Sequence, residues 1–244
     1  MTLLDDVLDA HGGIERWRAT REISAHVRSG GLLLATRAPR GLFSEYRLTL
    51  RVAEQWIRAE PTAVDERLTF DAGRVRLEAA DGTLIEARDD PRPLFSGLSG
   101  LRRNLRWDAL DTGFFAGYAM WNYMTTPLLL TRDEVEVTEG DPWQAPDGET
   151  WRPLEATFGP GLETHSSRQT FWFGPDALLR RHDYTAEVIG GWAKAAHVVG
   201  EPRESGGLVF PTKRRVTPRG PGKRALPGPT LVWIELDDIA VASE

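Results

Sequence analysis

Hydrophobic and polar positions alternate with a period of two along most of this chain. The first clear example begins at Glu22, where Ile23, Ala25 and Val27 are separated by polar residues. Such alternation is typical of strands with one buried and one solvent-facing side, and the turn residues between the runs are typical of hairpins. The pattern therefore predicts a mainly β protein built from antiparallel meanders. The predicted strands cover residues 22–28, 32–36, 42–52, 55–60, 67–71, 74–79, 83–88, 134–139, 150–158, 208–218 and 231–241, with three more within residues 165–197.

Two regions follow a helical period instead. Residues 2–10 carry an apolar stripe behind a capping Thr2, and residues 14–19 continue as a second short helix. Residues 112–124 are apolar or aromatic nearly all round, which predicts a buried helix. Residues 101–110 fit a helix or an extended chain. The chain is thus predicted to be one α+β domain, and no linker or repeat divides it. It comprises an N-terminal helical part at about 2–19, a first meander at 22–88, a central helical insert at 101–124 and a second meander at 133–241.

Residues 165–197 hold three of the five histidines. Turn signals at residues 174–177 and 190–191 divide this stretch into three strands. Tight hairpins on these turns fix the register by antiparallel counting, and side-chain alternation then separates an inner from an outer face. On the predicted inner face this register aligns two rows of polar side chains, Ser167–Tyr184–His197 and Gln169–His182, with His165 at the margin.

The opposite face of these strands is charged. Arg168 is predicted opposite Asp183, and Glu187 opposite Lys194, as ion pairs on a solvated surface. The basic run at residues 213–215 lies along another predicted strand, and we interpret it as solvated too.

The polar rows on the inner face have two interpretations. Neighbouring strands are about 4.8 Å apart, so these side chains can hydrogen-bond, and each would cost about 1–3 kcal/mol if buried without a partner. They form either a satisfied buried network or the polar part of a ligand pocket, and the pocket is the favoured hypothesis. The predicted pocket-lining residues are Ser167, Gln169, Phe171, Phe173, Tyr46, Phe115, Tyr118, Trp121 and Tyr123.

Catalysis in the same pocket is the competing hypothesis. A cofactor-independent lyase, isomerase or cyclase step could use His182 or His197 as the base and Tyr184 as the acid. Arg180 would then hold a developing negative charge. Ser167 lacks the sharp turn and oxyanion donors of a nucleophilic serine. A mononuclear metal enzyme using the two histidines is a weaker alternative, because the usual ligand spacings are missing; no metal or cofactor is predicted.

The composition of the chain further narrows the possible classes of function. The net charge of −6 and the pI near 5.5 argue against sequence-independent binding to nucleic acid or anionic lipid. The chain has no cysteine, which excludes disulfides and thiol catalysis. We predict no transmembrane segment and no signal peptide, and therefore a cytoplasmic location. The sequence leaves a homodimer open.

The order of the predicted elements resembles that of the bacterial lipoprotein-carrier (LolA/LppX-like) superfamily. The resemblance rests on the N-terminal helix leading into residues 22–27, the strands at 43–51 and 67–71, the central aromatic helix and the hairpin at 171–184. It implies a curved antiparallel sheet forming a half-barrel, with a buried central helix closing the concave face, and binding of hydrophobic molecules between the two. Because the expected export signal and anchoring cysteine are missing, we expect a cytoplasmic role on a smaller hydrophobic or aromatic molecule rather than lipoprotein transport.

Overall fold

One antiparallel sheet curves around a single long helix in the computed structural model, which describes residues 2–243. The strands are Thr20–Gly30 (β1), Glu45–Arg51 (β2), Trp56–Pro61 (β3), Glu66–Asp71 (β4), Arg74–Ala79 (β5), Leu84–Asp89 (β6), Val135–Glu139 (β7), Trp143–Gln144 (β8), Thr150–Phe158 (β9), Arg168–Phe173 (β10), Leu179–Thr185 (β11), Lys194–Ser205 (β12), Leu208–Pro218 (β13) and Val232–Ser243 (β14). Their order in the sheet is β6-β5-β4-β3-β2-β1-β14-β13-β12-β11-β10-β9-β7, and the short β8 pairs with β9. The helices are Leu3–Ala10 (α1), Ile14–Ala19 (α2), Leu32–Arg37 (α3), Gly97–Arg103 (α4) and Ala109–Thr125 (α5), with short 3₁₀ turns at Arg92–Phe95, Leu128–Thr131 and Pro221–Lys223.

The sheet joins the two predicted meanders at its centre. Strands β1–β6 form the first meander and β7–β14 the second, and β1 pairs with β14 between them. Apolar side chains from the inner faces of both halves form one core around α5. The predicted mainly β, open half-barrel architecture is therefore confirmed.

The N-terminal helices close one end of the half-barrel. Thr2 caps α1 reciprocally with Asp5, and Leu3 lies on the buried side of the helix. Helix α2 buries Trp17, whose ring meets Phe210 of β13 edge to face. Both predicted helices are present with nearly the predicted bounds.

Helix α5 fills the concave side of the sheet. Asp108 and Asp111 form a capping box at its start, and its aromatic residues are buried on all sides. Gly113 and Gly117 let it lie directly against β4, because a Cβ at Gly117 would overlap Phe70. No helix within residues 2–243 is long and apolar enough to cross a membrane.

Two local predictions need correction. Residues 32–36 were predicted as a strand but form α3, because Gly31 at φ 113° ends β1 and a short apolar run fits either structure. In the region left open at residues 101–110, α4 ends at Arg103 and α5 begins at Ala109.

The outer face around β10 and β11 is buried rather than solvated. Trp172 packs beneath β8, and Arg181 pairs with Asp183 at 2.6 Å under the connection between β13 and β14. Arg219 from that connection also reaches Asp183. Asp183 therefore pairs with these arginines and not with Arg168 as predicted.

Candidate functional site

The register of the three central strands differs from the prediction by two residues at each turn. His182 pairs with Phe171 on β10 and with His197 on β12. The second turn is a six-residue loop closed by Ala186 and Ala193, not a two-residue turn. The predicted pairs of Ser167 and His197 with Tyr184, and of Glu187 with Lys194, are therefore wrong. Since a shift of two residues keeps every side chain on its face, the inner face survives the error.

His165 is the centre of the buried polar cluster, not its margin. Its Nε2 lies 2.6 Å from the Tyr123 hydroxyl and its Nδ1 lies 3.3 Å from the Tyr118 hydroxyl. Its ring stacks on Tyr184, and the Tyr184 hydroxyl lies 2.9 Å from that of Tyr123. Strand β11 and helix α5 thus meet at one imidazole.

The connection between β9 and β10 carries His165 into this position. Residues 159–167 leave the sheet and cross its concave side, where Glu163 exchanges two hydrogen bonds with the side chain of Gln55. The Glu187 backbone N–H donates to the His165 carbonyl. Strand alternation does not apply to such a segment, so sequence reasoning could not place this histidine.

His182 lies beside His165 in the cluster. Its Nε2 donates to Gln169 Oε1 at 2.6 Å, and the amide of Gln169 donates in turn to the Ser166 carbonyl. The His182 ring stacks on Phe171 at 4.1 Å. The structure therefore brings Gln169, Phe171 and His182 together, as the inner-face assignment required.

His197 and Arg214 are buried, and some of their side-chain nitrogens make no hydrogen bond to the described residues. Within the described part of the chain, neither ring nitrogen of His197 has a hydrogen-bond partner, and Arg214 Nε has none either. The Arg214 guanidinium donates to the Tyr123 carbonyl at 3.1 Å and lies 5.2 Å from the centre of the Tyr123 ring. The prediction that residues 213–215 are solvated is wrong for Arg214, which is 3% exposed. The alternation with Thr212 and Val216 on β13 was the signal that places it on the inner face.

Two predicted site residues lie elsewhere. Arg180 hydrogen-bonds to Asp176 and Glu149, because a β-bulge opposite Phe173 turns it away from the concave side. Ser167 is exposed at the start of β10. The guanidinium that Arg180 was expected to supply comes from Arg214 instead.

A small cavity lies next to the cluster, between α5 and the sheet. It measures about 30 Å³, enough for one or two water molecules. The hydroxyl-bearing rings of Tyr123 and Tyr184 lie on its polar side. The other lining residues are Ser29, Leu34, Phe43, Tyr46, Phe115, Ala116, Ala119, Met120, Val232 and Ile234.

The other predicted wall residues lie outside this cavity. Trp121 donates its indole N–H to the carbonyl of Arg51, the last residue of β2. Phe173 meets His11 edge to face near the N-terminal helices. Tyr118 reaches the cluster through His165 without lining the cavity.

Burial keeps the cluster neutral. Burial, with a further contribution from the Arg214 guanidinium, lowers the pKa of His182 to about 3. Burial also holds the pKa values of His165 and His197 well below their usual value and raises the pKa of Tyr184 well above its usual value. Imidazoles with such low pKa values are weak bases, so the cluster is better suited to hydrogen bonding than to proton transfer.

The cluster does not form a metal site of the usual kind. Within residues 2–243, no three histidine, aspartate or glutamate side chains converge to hold a metal ion. The rings of His182 and His197 are 6.0 Å apart, and the Tyr123 ring lies against both.

The open, curved antiparallel sheet around a buried helix defines a half-barrel of the lipoprotein-carrier fold class. Two solved structures share it over nearly the whole chain. A DUF1329 family protein from Desulfovibrio piger matches with a TM-score of 0.54 at 14% identity, covering 98% of this chain and 91% of its own. A LolA superfamily protein from Nitrosomonas europaea matches with a TM-score of 0.52 at 10% identity, covering 99% and 93%.

These similarities concern the fold. No protein-family model and no curated protein matches the sequence. At identities of 10–14% a shared architecture leaves function to be argued from the site itself.

Proposed function

We propose that this protein binds a hydrophobic small molecule between α5 and the concave face of the sheet. The observation that carries the proposal is an apolar cavity lined on one side by Tyr123 and Tyr184, where the Tyr123 ring also packs against His197 and Arg214, two buried side chains with unpartnered nitrogens. Apolar walls with a few converging polar groups are typical of small-molecule sites.

The unpartnered atoms argue against a purely structural network. Buried polar side chains in folded proteins nearly always have a partner, and each one without costs about 1–3 kcal/mol. His165 and His182 have partners, whereas both ring nitrogens of His197 have none. A bound molecule that reached His197 would offset part of that cost.

The cavity must enlarge to accept such a molecule, since pockets for small ligands usually measure about 300–1,000 Å³. Helix α3 is the element best placed to move. None of its residues is fully buried, and Leu34 lines the cavity. Its N-terminus is held by two backbone hydrogen bonds, from Leu32 to Thr230 and from Leu33 to Leu231. Outward movement of α3 would open the cavity without breaking a strand pair.

The acid/base alternative has less support from the same cluster. A general base works best when its pKa lies near the operating pH, and burial lowers the pKa of His182 to about 3. Arg180 also lies outside the cluster, so the residue that this hypothesis named as the oxyanion partner does not contact the histidines.

Binding can be tested with N-phenyl-1-naphthylamine, an uncharged apolar fluorophore. Nine tryptophans serve as energy-transfer donors. The substitution Ala119→Leu fills the cavity and should weaken binding at least tenfold, whereas Ala53→Leu at an exposed position should not. Circular dichroism checks that both variants fold. If the native protein binds no probe, or both variants bind it equally, the proposed site is wrong.

A further inference from the structure

Arg214 is a buried cation that has no carboxylate partner among the described residues 2–243. The other arginines with comparable burial in residues 2–243 have one: Arg181 pairs with Asp183, and Arg103 with Asp111. Arg214 donates only to a backbone carbonyl and lies against the ring of Tyr123, and its Nε–H has no acceptor. A cation–π contact and one neutral acceptor replace only part of the hydration that a guanidinium loses on burial.

The position of Arg214 connects it to the proposed binding site. On the sheet it pairs with Ile234 of β14, and its guanidinium lies beside Tyr123. Both of these neighbours line the cavity. The ring of His197 packs against the same tyrosine, with centroids 4.4 Å apart. The Tyr123 ring therefore lies between the apolar cavity and the unpartnered nitrogens of Arg214 and His197.

We infer that the bound molecule is a hydrophobic carboxylic acid, and that Arg214 receives its carboxylate, with His197 as a second donor. The inference rests on the proposed function and adds the chemical class of the ligand. A carboxylate would supply the missing negative charge and accept the Nε–H, and guanidinium geometry suits a carboxylate better than any neutral acceptor. The proposal requires the Tyr123 side chain to rotate and release its hydrogen bonds to His165 and Tyr184, because neither Arg214 nor His197 lines the cavity itself.

The apolar part of the acid would lie along α5. Phe115, Ala119 and Met120 present one side of the cavity, and Tyr46 and Phe43 the other. These walls contain no charged group, so they select against a second charge on the ligand. A fatty acid or an aromatic acid with one carboxylate fits this arrangement.

Matched ligands test the inference on the native protein. Dodecanoic acid, dodecanol and methyl dodecanoate compete for bound N-phenyl-1-naphthylamine, and their dissociation constants are compared at neutral pH. The acid should bind at least tenfold more tightly than the alcohol or the ester. Equal binding of the three would overturn the carboxylate assignment while leaving the hydrophobic site in place. If neither the probe nor any of the three binds, the proposed function fails as well.

Variants assign the effect to Arg214. In Arg214→Met the ratio of acid to alcohol affinity should fall to within about twofold of one. Arg215→Met, next along β13 and exposed, should keep the native ratio. Retention of the preference in Arg214→Met would overturn the role of this residue. If that variant does not fold, the complex of the native protein with carboxyl-¹³C-labelled acid is titrated by NMR instead. A carboxylate bound to Arg214 should stay ionised at pH values below the pKa of the free acid. A bound acid that protonates with the pKa of the free acid would contradict the assignment.

Discussion

The rings of His165 and Tyr184 lie face to face, with centroids 3.8 Å apart and planes within 4° of parallel. This stacking fixes the plane of the imidazole, so that its two nitrogens point to Tyr118 and Tyr123 on α5. The central helix is thereby tied to the second half of the sheet by polar contacts, while Gly113 and Gly117 hold it against the first half by close packing.

Substitution can separate the contribution of the two hydrogen bonds of His165 from that of its stacking on Tyr184. His165→Phe keeps an aromatic ring on Tyr184 but leaves the Tyr118 hydroxyl without a partner. We expect the free energy of unfolding to fall by about 1–3 kcal/mol. Tyr184→Phe removes a single hydrogen bond and should cost only about 1 kcal/mol. Urea denaturation followed by tryptophan fluorescence measures both, and an equal loss in the two variants would contradict the central role of His165.

Acid should destabilise the protein from about pH 6.5 downwards. The folded-state pKa values of His165, His182 and His197 lie below the unfolded value of 6.5, so their contribution is complete above pH 6.5 and is lost as the pH falls towards 3. Each histidine costs at most roughly 1.4 kcal/mol per pH unit in that window. Their neighbours Tyr118, Tyr123, Tyr184 and Arg214 keep their charge state throughout it.

The measurement is the free energy of unfolding by urea between pH 7.5 and 4.5. His182→Gln should reduce the slope of the unfolding free energy against pH, because the variant has one buried imidazole fewer that becomes protonated only on unfolding. His26→Gln, on the polar face of β1, is the control that leaves the cluster intact. An unchanged slope in His182→Gln would show that burial does not control this titration.

Replacing Arg214 should stabilise the protein when no ligand is bound. Arg214→Met removes an unsatisfied buried donor and fills the space with apolar atoms, which should raise the free energy of unfolding by about 1–3 kcal/mol. Arg215→Met on the exposed face should change it by less than about 0.5 kcal/mol. Destabilisation by the Arg214 substitution would mean that its contacts with Tyr123 outweigh the cost of burial.

Replacing the buried carboxylate at the start of α5 should destabilise the protein, in contrast to replacing Arg214. Asp111 is fully buried and lies 2.6 Å from Arg88 and 2.7 Å from Arg103. Asp111→Asn leaves these cations without their shared counter-charge and should cost about 3–5 kcal/mol. Asp89→Asn removes an exposed ion pair with Arg74 and should cost less than about 1 kcal/mol. Thermal unfolding distinguishes the two, and similar losses would contradict a structural role for the buried network.

The sequence predicted the faces of the strands better than their partners. Alternation assigned His182, Tyr184 and His197 to the inner face correctly because both register errors were of two residues, and a shift of two keeps each side chain on its face. The turn lengths themselves depend on local contacts, such as the loop closed by Ala186 and Ala193, that short turn signals do not specify.

The missed parts of the site have different physical causes. His165 lies in a connection that folds back over the sheet, and no period describes such a segment. Arg214 obeyed the alternation of β13, but its charge favoured a solvated interpretation. On the outer face, Asp183 and Trp172 became buried because β8 and the connection after β13 cover them, and neither covering element has a strong sequence signal.

The pairing of β1 with β14 brings residues more than two hundred positions apart into register, as Ile23 and Val241 illustrate. Loop-closure entropy makes such contacts slow to form. During synthesis the first meander and α5 leave the ribosome well before β14, so the concave surface stays incomplete until β14 has been made. A half-barrel with this connectivity would acquire the proposed binding site only once β14 has paired with β1, and a hydrophobic molecule that assists folding would meet the site at that step.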